Sequence, residues 1–147
     1  MRAAGRLRRA WDSHLRQITL AEGIPDSYRT VLLFLRRHPG SGQRNIAEFA
    51  NVTTSAINQA VKSMVEEGYL RKETDSNDKR SSKLYLTEKG VECAERLRGK
   101  LDTSDAAITA MLGEVREAEL IGILEQLAEF IGKDLGATFG ENSFGII

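Results

Sequence analysis

Residues 43–86 read QRNIAEFANVTTSAINQAVKSMVEEGYLRKETDSNDKRSSKLYL, and their pattern is the most informative in the sequence. Apolar residues recur at helical spacing over residues 43–50 and again over residues 54–67, with a short break between the two runs. Thr53 is a suitable N-cap for the second run, and Gly68 is a suitable C-terminal stop. The period then changes to the alternation of strands, so the stretch predicts two short helices followed by a β-hairpin.

Only three residues separate the two predicted helices, and this short connection predicts a helix-turn-helix. Ala47 lies where the helices are expected to cross, and a larger side chain there would push them apart. Asn51, four residues later, falls where the chain needs a positive φ, which glycine and then asparagine tolerate best. Ile57, six residues further on, is placed to pack the second helix onto the first.

Short hydrogen-bonding side chains and one cation occupy the predicted outer face of the second helix, namely Thr54, Ser55, Asn58, Gln59 and Lys62. Such side chains can reach base edges in the major groove, and Asn and Gln are geometrically suited to adenine. Basic residues surround the tip of the hairpin, namely Arg71, Lys72, Lys79, Arg80 and Lys83. They suit the adjacent minor groove and its phosphates. Together with Arg44 and Thr53, these residues predict a contact with double-stranded DNA.

Several runs in and around this stretch share one family pattern: Ile46-Ala47-Glu48-Phe49-Ala50, Val52-Thr53, MVEEGYLRK at 64–72, Asp78-Lys79-Arg80 and LTEKG at 86–90. The pattern resembles the MarR family of bacterial winged-helix regulators, and the resemblance covers most of the chain. It implies that Arg80 enters the minor groove and that Asp78 orients it. It also implies a homodimeric transcriptional regulator, by default a repressor, on a pseudo-palindromic operator. The arginine that the family often has at the places of Thr54 and Gln59 is absent, so we expect a different operator.

The flanking segments complete a mainly α-helical fold with a small β-hairpin wing, a winged helix-turn-helix joined to a helical dimerisation domain. We expect a dimerisation helix in residues 1–24, the DNA-binding region in 25–90, two further dimerisation helices in 91–135 and a Gly-rich tail in 136–147. The apolar residues of the terminal helices are expected to face inward or to be buried between protomers, namely Leu7, Trp11, Leu15, Val115, Leu120, Ile123, Leu124, Leu127, Phe130 and Ile131.

Charge is unevenly distributed although the 147 residues carry no net charge. Residues 1–100 contain 19 basic residues (Lys and Arg) and 12 acidic residues (Asp and Glu), whereas residues 101–147 contain 2 basic and 9 acidic residues. These balances of +7 and −7 suit a protein that offers one region to phosphates and another to solvent or a partner. The chain has no long apolar run, no signal-peptide pattern and one cysteine, which predicts a cytoplasmic protein without a membrane segment.

Four residues near the N-terminus form a candidate ligand site: Trp11, His14, Tyr28 and Arg29. The resemblance implies a small aromatic or phenolic effector bound between the dimerisation helices and the winged module. The alternative, which the position of Trp11 on a helical stripe favours, is that Trp11 belongs to the core or an interface and that His14 is an ordinary surface or interface histidine.

Other functions have less support from the sequence. Cys93 lies inside a predicted helix, so a buried inert thiol is favoured over a redox sensor. The chain offers no metal-ligand spacing, phosphate-binding loop or catalytic grouping, so we expect no enzyme, metal or cofactor. Because the net charge is zero and the second helix lacks arginine, a protein-interaction module without operator binding, such as an antirepressor, stays open as the alternative.

Overall fold

The computed structural model describes residues 2–74 and 82–134. Within these ranges the order of elements agrees with the prediction and confirms a mainly α-helical fold with a hairpin wing. No helix in the described ranges is long and apolar enough to cross a membrane. The elements are α1 (Arg2–Ala21), α2 (Asp26–Arg37), α3 (Gln43–Ala50), α4 (Thr54–Glu66), β1 (Leu70–Thr74), β2 (Ser82–Leu86), α5 (Glu88–Leu112) and α6 (Glu114–Asp134).

The helix ends lie close to the capping and helix-ending residues from which the sequence predicted them. The Thr53 hydroxyl accepts a hydrogen bond from the Ala56 amide at 3.3 Å, which caps α4. Gly68 has a φ of 78°, the left-handed conformation in which glycine ends a helix. Gly113, with a φ of 77°, separates α5 from α6 in the same way.

The core of residues 1–99 is built around α2, which contacts α1, α3, α4 and β2. Val31 and Leu32 are completely buried in it. The other elements add a set of buried apolar side chains, which comprises Ile46, Ala47, Ile57, Val61, Met64, Leu84, Cys93, Ala94 and Leu97. Val65, one of the apolar residues of the second run and expected to face inward, is instead 38% exposed. It lies one position beyond the buried stripe of α4, where the helix surface has already turned towards solvent.

Helix α1 buries only its second half. Leu15 and Ile18 are buried, whereas Leu7, predicted on the same stripe, is 59% exposed. Glu22, just after the helix, accepts a hydrogen bond from the Arg96 guanidinium at 2.8 Å, which ties this end of α1 to α5. The first half of α1 therefore has an exposed apolar residue in the part of the chain that the structure describes.

The hairpin is antiparallel and gains a third, short pairing. Leu70 lies opposite Leu86 and Lys72 opposite Leu84 in β1 and β2. On the other edge of β2, the Gly40 amide donates to the Leu84 carbonyl at 2.8 Å, and the Leu84 amide donates to Ser41 at 3.1 Å. Leu84 is thus held from both sides, which anchors the base of the hairpin next to α3.

The chain divides into two compact units inside α5, between Gly99 and Lys100. In the second unit, the Thr109 hydroxyl donates to Glu117 at 2.9 Å and so ties the end of α5 to the start of α6. Most of the apolar residues of α6 are exposed in the single chain, namely Val115, Leu120, Ile123, Leu124, Leu127 and Phe130. Their burial between protomers stays a prediction. Periodicity identifies an apolar face, but it does not say whether the same chain covers it.

Candidate nucleic-acid interface

The turn between α3 and α4 has the geometry that a helix-turn-helix requires. Asn51 adopts a φ of 51°, and its amide donates to the carbonyls of Ala47 and Glu48. Ala47 and Ile57 are both buried, as expected of residues at the contact between the two helices. A side chain larger than alanine at position 47 has no room in this close-packed contact.

The outer face of α4 presents the polar side chains that the sequence predicted. Thr54, Ser55, Asn58, Gln59 and Lys62 are all exposed, whereas Ile57, Ala60, Val61 and Met64 are buried on the opposite side. Packing against the core fixes the rotation of the helix, so this polar face is held outward. Thr53 is exposed too, but its hydroxyl oxygen already caps the helix.

Two of the predicted cations on the helices lie in ion pairs within one helical turn. The Arg44 guanidinium lies 2.8 Å from Glu48, and Lys62 lies 4.0 Å from Glu66. All four side chains are largely exposed. Exposed pairs of this kind contribute little stability, so both cations can exchange a carboxylate for a phosphate at small cost.

The described part of the hairpin keeps its basic residues near the surface. Arg71 and Lys72 are exposed and Lys83 is half-buried. The Arg71 guanidinium lies 4.4 Å from the centre of the Tyr85 ring on the opposite strand and also pairs with Glu73. The remaining predicted DNA contacts, Asp78, Lys79 and Arg80, lie outside the described residues.

Sequence reasoning missed the role of the segment between α4 and β1, which we call the junction (residues 67–69). The Thr87 hydroxyl donates to the Gly68 carbonyl at 2.6 Å, and the Thr87 amide donates to the Tyr69 carbonyl at 3.0 Å. The Lys89 ammonium donates to the Glu67 carbonyl at 2.8 Å and lies 4.0 Å from the centre of the Tyr69 ring. The first turn of α5 therefore holds all three junction residues.

Gly90 completes this contact, because a Cβ at its position would collide with the Tyr69 carbonyl oxygen. The quoted run LTEKG thus has a structural explanation. Its threonine, lysine and glycine all serve the attachment of α5 to the junction. The signal was present in the sequence as a run without an assigned function, but only the fold shows what it contacts.

The candidate ligand residues lie in separate local contacts. The rings of Trp11 and His14 are 5.5 Å apart, and the Arg29 guanidinium pairs with Asp26 at 3.3 Å. Tyr28 is buried and its hydroxyl donates to the Glu67 carboxylate at 2.7 Å. Burial and this carboxylate raise the pKa of Tyr28 to about 12. Tyr28 therefore acts within the fold, and its role as a ligand contact stays a prediction.

The Cys93 thiol is buried and 1% exposed, in agreement with the prediction of an inert core cysteine. An oxidant needs access to the sulfur, and burial among apolar side chains opposes that access. A redox function at this residue has no structural support.

The junction, the helix-turn-helix and the hairpin can be compared with those of known proteins. The model of the MarR family matches residues 22–81. A protein of Thauera aromatica that carries the name of a transcriptional regulatory protein for the hcr operon is 28% identical over 118 residues, which cover 80% of this chain and 71% of that protein.

Solved structures of MarR-family regulators share the fold. The regulator SP03579 is 18% identical, with a TM-score of 0.87 over 93% of this chain and 91% of its own. A Listeria monocytogenes protein crystallised with a 26mer DNA is 21% identical, with a TM-score of 0.78 and coverages of 90% and 89%. PcaV of Streptomyces coelicolor, crystallised with its natural ligand, is 26% identical, with a TM-score of 0.68 and coverages of 84% and 89%. These relatives carry the names of transcriptional regulators, and residues 22–81 of this chain match the model of the MarR family.

Proposed function

We propose that this protein is a homodimeric repressor that binds a pseudo-palindromic operator in double-stranded DNA. Helix α4 of each protomer enters a major groove, and the hairpin contacts the adjacent minor groove. The outward polar face of α4 carries the proposal, because it combines base-reading amides at Asn58 and Gln59 with a cation at Lys62 on a helix whose rotation is fixed by packing. The Listeria relative of the same fold was crystallised with DNA, which supports DNA binding.

The wing contact is proposed from charge and from the family pattern. Arg71 and Lys72 are exposed on β1, and Arg80 with its neighbour Asp78 follows in the segment that joins the strands. Cations at this position lower the cost of approaching phosphates and the negative potential of a narrow minor groove. Arg80 is proposed to enter that groove, with Asp78 as the group that orients it.

The dimer is proposed from apolar surface that stays exposed among the described residues of one chain. In α6, Ile123, Leu127 and Phe130 are each more than half exposed, and Leu7 in α1 is exposed as well. Exposed apolar residues repeated along a helix indicate an interface with another molecule. A second copy related by two-fold symmetry would cover these helices and present two α4 helices to successive major grooves.

A small aromatic or phenolic effector is proposed to bind near Trp11 and His14 and to weaken operator binding. The PcaV relative was crystallised with a ligand, which supports a ligand-responsive regulator. Because Trp11 is the chain's single tryptophan, its fluorescence reports binding directly. Salicylate should quench it saturably and raise the operator Kd, whereas acetate should do neither. A signal that changes equally with both anions would contradict an aromatic site.

The operator proposal is tested by selecting duplexes from a random-sequence library and measuring their binding by fluorescence anisotropy. We expect enrichment of an inverted repeat with half-sites about one helical turn apart, and an affinity that falls steeply with salt. A scrambled duplex of the same composition is the control. Failure to enrich any sequence, with no binding even at low salt, would favour the protein-interaction module instead.

A further inference from the structure

The junction connects the two parts of the protein that are proposed to enter two different grooves. Helix α4 ends at Glu66 and β1 begins at Leu70, so only three residues separate them. The direction of the hairpin relative to α4 therefore depends on the backbone angles of the junction. A five-residue strand is an arm of roughly 16 Å, so a rotation of about 10° at the junction would move its far end by about 3 Å. Hydrogen bonds to base edges tolerate only much smaller displacements than this.

Contacts from two helices hold the junction from different directions. The first turn of α5 holds its carbonyls through Thr87 and Lys89, as described above. From α2, the buried Tyr28 hydroxyl donates to the Glu67 carboxylate at 2.7 Å. The Tyr28 ring also meets the Tyr69 ring nearly edge-on, with centroids 5.8 Å apart. Both ends of the junction are thus tied to α2 by a single side chain.

The hydrogen bond to Glu67 is well suited to fix an angle. It joins a rigid ring that is 2% exposed to a carboxylate at the C-cap of α4, and a hydrogen bond to a charged acceptor is stronger than a neutral one. The tyrosine cannot follow a moving junction without leaving its place in the core. None of these groups belongs to the outer face of α4 or to the hairpin cations.

We propose that Tyr28 and Glu67 are positioning residues for DNA recognition, which hold the hairpin at the angle to α4 that lets both enter their grooves together. The inference rests on the proposed function and adds specificity-determining residues that need not touch DNA. It predicts that removing the hydrogen bond between Tyr28 and Glu67 lowers the affinity for the operator but not for unrelated DNA. Non-specific binding depends on charge and needs no simultaneous fit to two grooves.

The test uses the full-length protein and the duplex that the wild type selects. Tyr28→Phe removes only the hydroxyl, and we expect its operator Kd to rise about tenfold, while the Kd for a scrambled duplex and the salt dependence stay within twofold. Glu67→Gln and Glu67→Ala both remove the charge, but only alanine removes the acceptor. The glutamine variant should therefore keep the preference for operator over scrambled DNA, and the alanine variant should lose it. Combining Tyr28→Phe with Glu67→Ala should add little to either loss.

A control separates positioning from a general loss of stability. Thr19→Val also removes one hydroxyl from a fully buried side chain, where it donates to backbone carbonyls in α1, far along the chain from the junction. This variant should keep the wild-type ratio of operator to scrambled binding. Equal ratios for wild type, Tyr28→Phe and Thr19→Val would overturn the inference.

Amide hydrogen exchange tests the contact between Tyr28 and the junction without DNA. Failure of the inference can therefore be distinguished from failure of the proposed function. In Tyr28→Phe the amides of residues 68–72 should exchange about tenfold faster than in the wild type, while those of α2 keep their rates. Unchanged exchange in the junction would overturn the inference even if the wild type binds its operator. A wild type without specific DNA binding would overturn the proposed function.

Discussion

At Gly90 the first turn of α5 runs so close to Tyr69 that a methyl group cannot be accommodated without moving one of the two backbones. Gly90→Ala should therefore destabilise the protein by about 3 kcal/mol, the upper range for overpacking, and lower its Tm by roughly 6–12 °C. Thermal unfolding followed by circular dichroism measures this. Gly99→Ala is the matched control in the same helix, where a Cβ meets no atom within 4 Å. It should stabilise by about 0.5–1 kcal/mol. Equal stability of the two variants would contradict the contact between α5 and the junction.

Tyr28 gives a prediction for alkaline pH. Burial and the Glu67 carboxylate raise its pKa to about 12 in the folded chain, from the ordinary tyrosine value of 10.0. Above pH 10 the unfolded chain loses this proton while the folded chain keeps it, so the stability contributed by Tyr28 is complete below pH 10 and is lost as pH rises towards 12. The difference in unfolding free energy between wild type and Tyr28→Phe should shrink by about 1–3 kcal/mol over this range. Urea unfolding at pH 9, 10.5 and 11.5 measures it, and a difference that is constant with pH would argue against the hydroxyl's buried contact with Glu67.

At the scale of the element, the outer face of α4 combines two kinds of contact that mutation can separate. Gln59→Ala should remove base discrimination, costing about 1–3 kcal/mol at one operator position and relaxing the preference there. Lys62→Ala should instead weaken binding to all sequences and reduce the slope of log affinity against log salt by about 1. Anisotropy with the selected duplex and its single-base variants, at several salt concentrations, distinguishes them. If both variants changed only the salt slope, α4 would contact phosphates alone.

Element boundaries were predictable because they depend on neighbours in the sequence. The Thr53 cap, the left-handed Asn51 and the helix-ending glycine at 68 each act over a few residues, and each was confirmed. Contacts between distant segments were not predictable. No local rule indicates that Ser41 pairs with Leu84, or that Tyr28 reaches Glu67 across 39 positions. The polar face of α4 was predictable because burial of the opposite face makes apolar residues recur at helical spacing in the sequence. The residues that contact the junction come from separate segments and show no such repeat.

For the molecule as a whole, α6 has an apolar face that is exposed within the described residues 2–74 and 82–134, and a second copy is the proposed partner. The double substitution Leu124→Lys/Leu127→Lys places two charges among residues that are 47% and 51% exposed in the single chain. It should leave the winged region folded, because that region's core is buried within residues 1–99. Two buried charges in an interface are costly unless they are paired, so the variant should sediment as a monomer at about 10 μM, where the wild type sediments as a dimer.

Loss of the dimer should also lower operator affinity at least about 100-fold, because each α4 would then bind its half-site without the other. Glu125→Lys is the matched control, since it changes the net charge by the same two units at an exposed polar position of the same helix. It should stay dimeric and bind the operator as the wild type does. A wild type that is already monomeric would contradict the proposed dimer. A monomeric variant with wild-type operator affinity would show instead that one protomer recognises the operator alone, which would require a single α4 and hairpin to supply all of its base contacts.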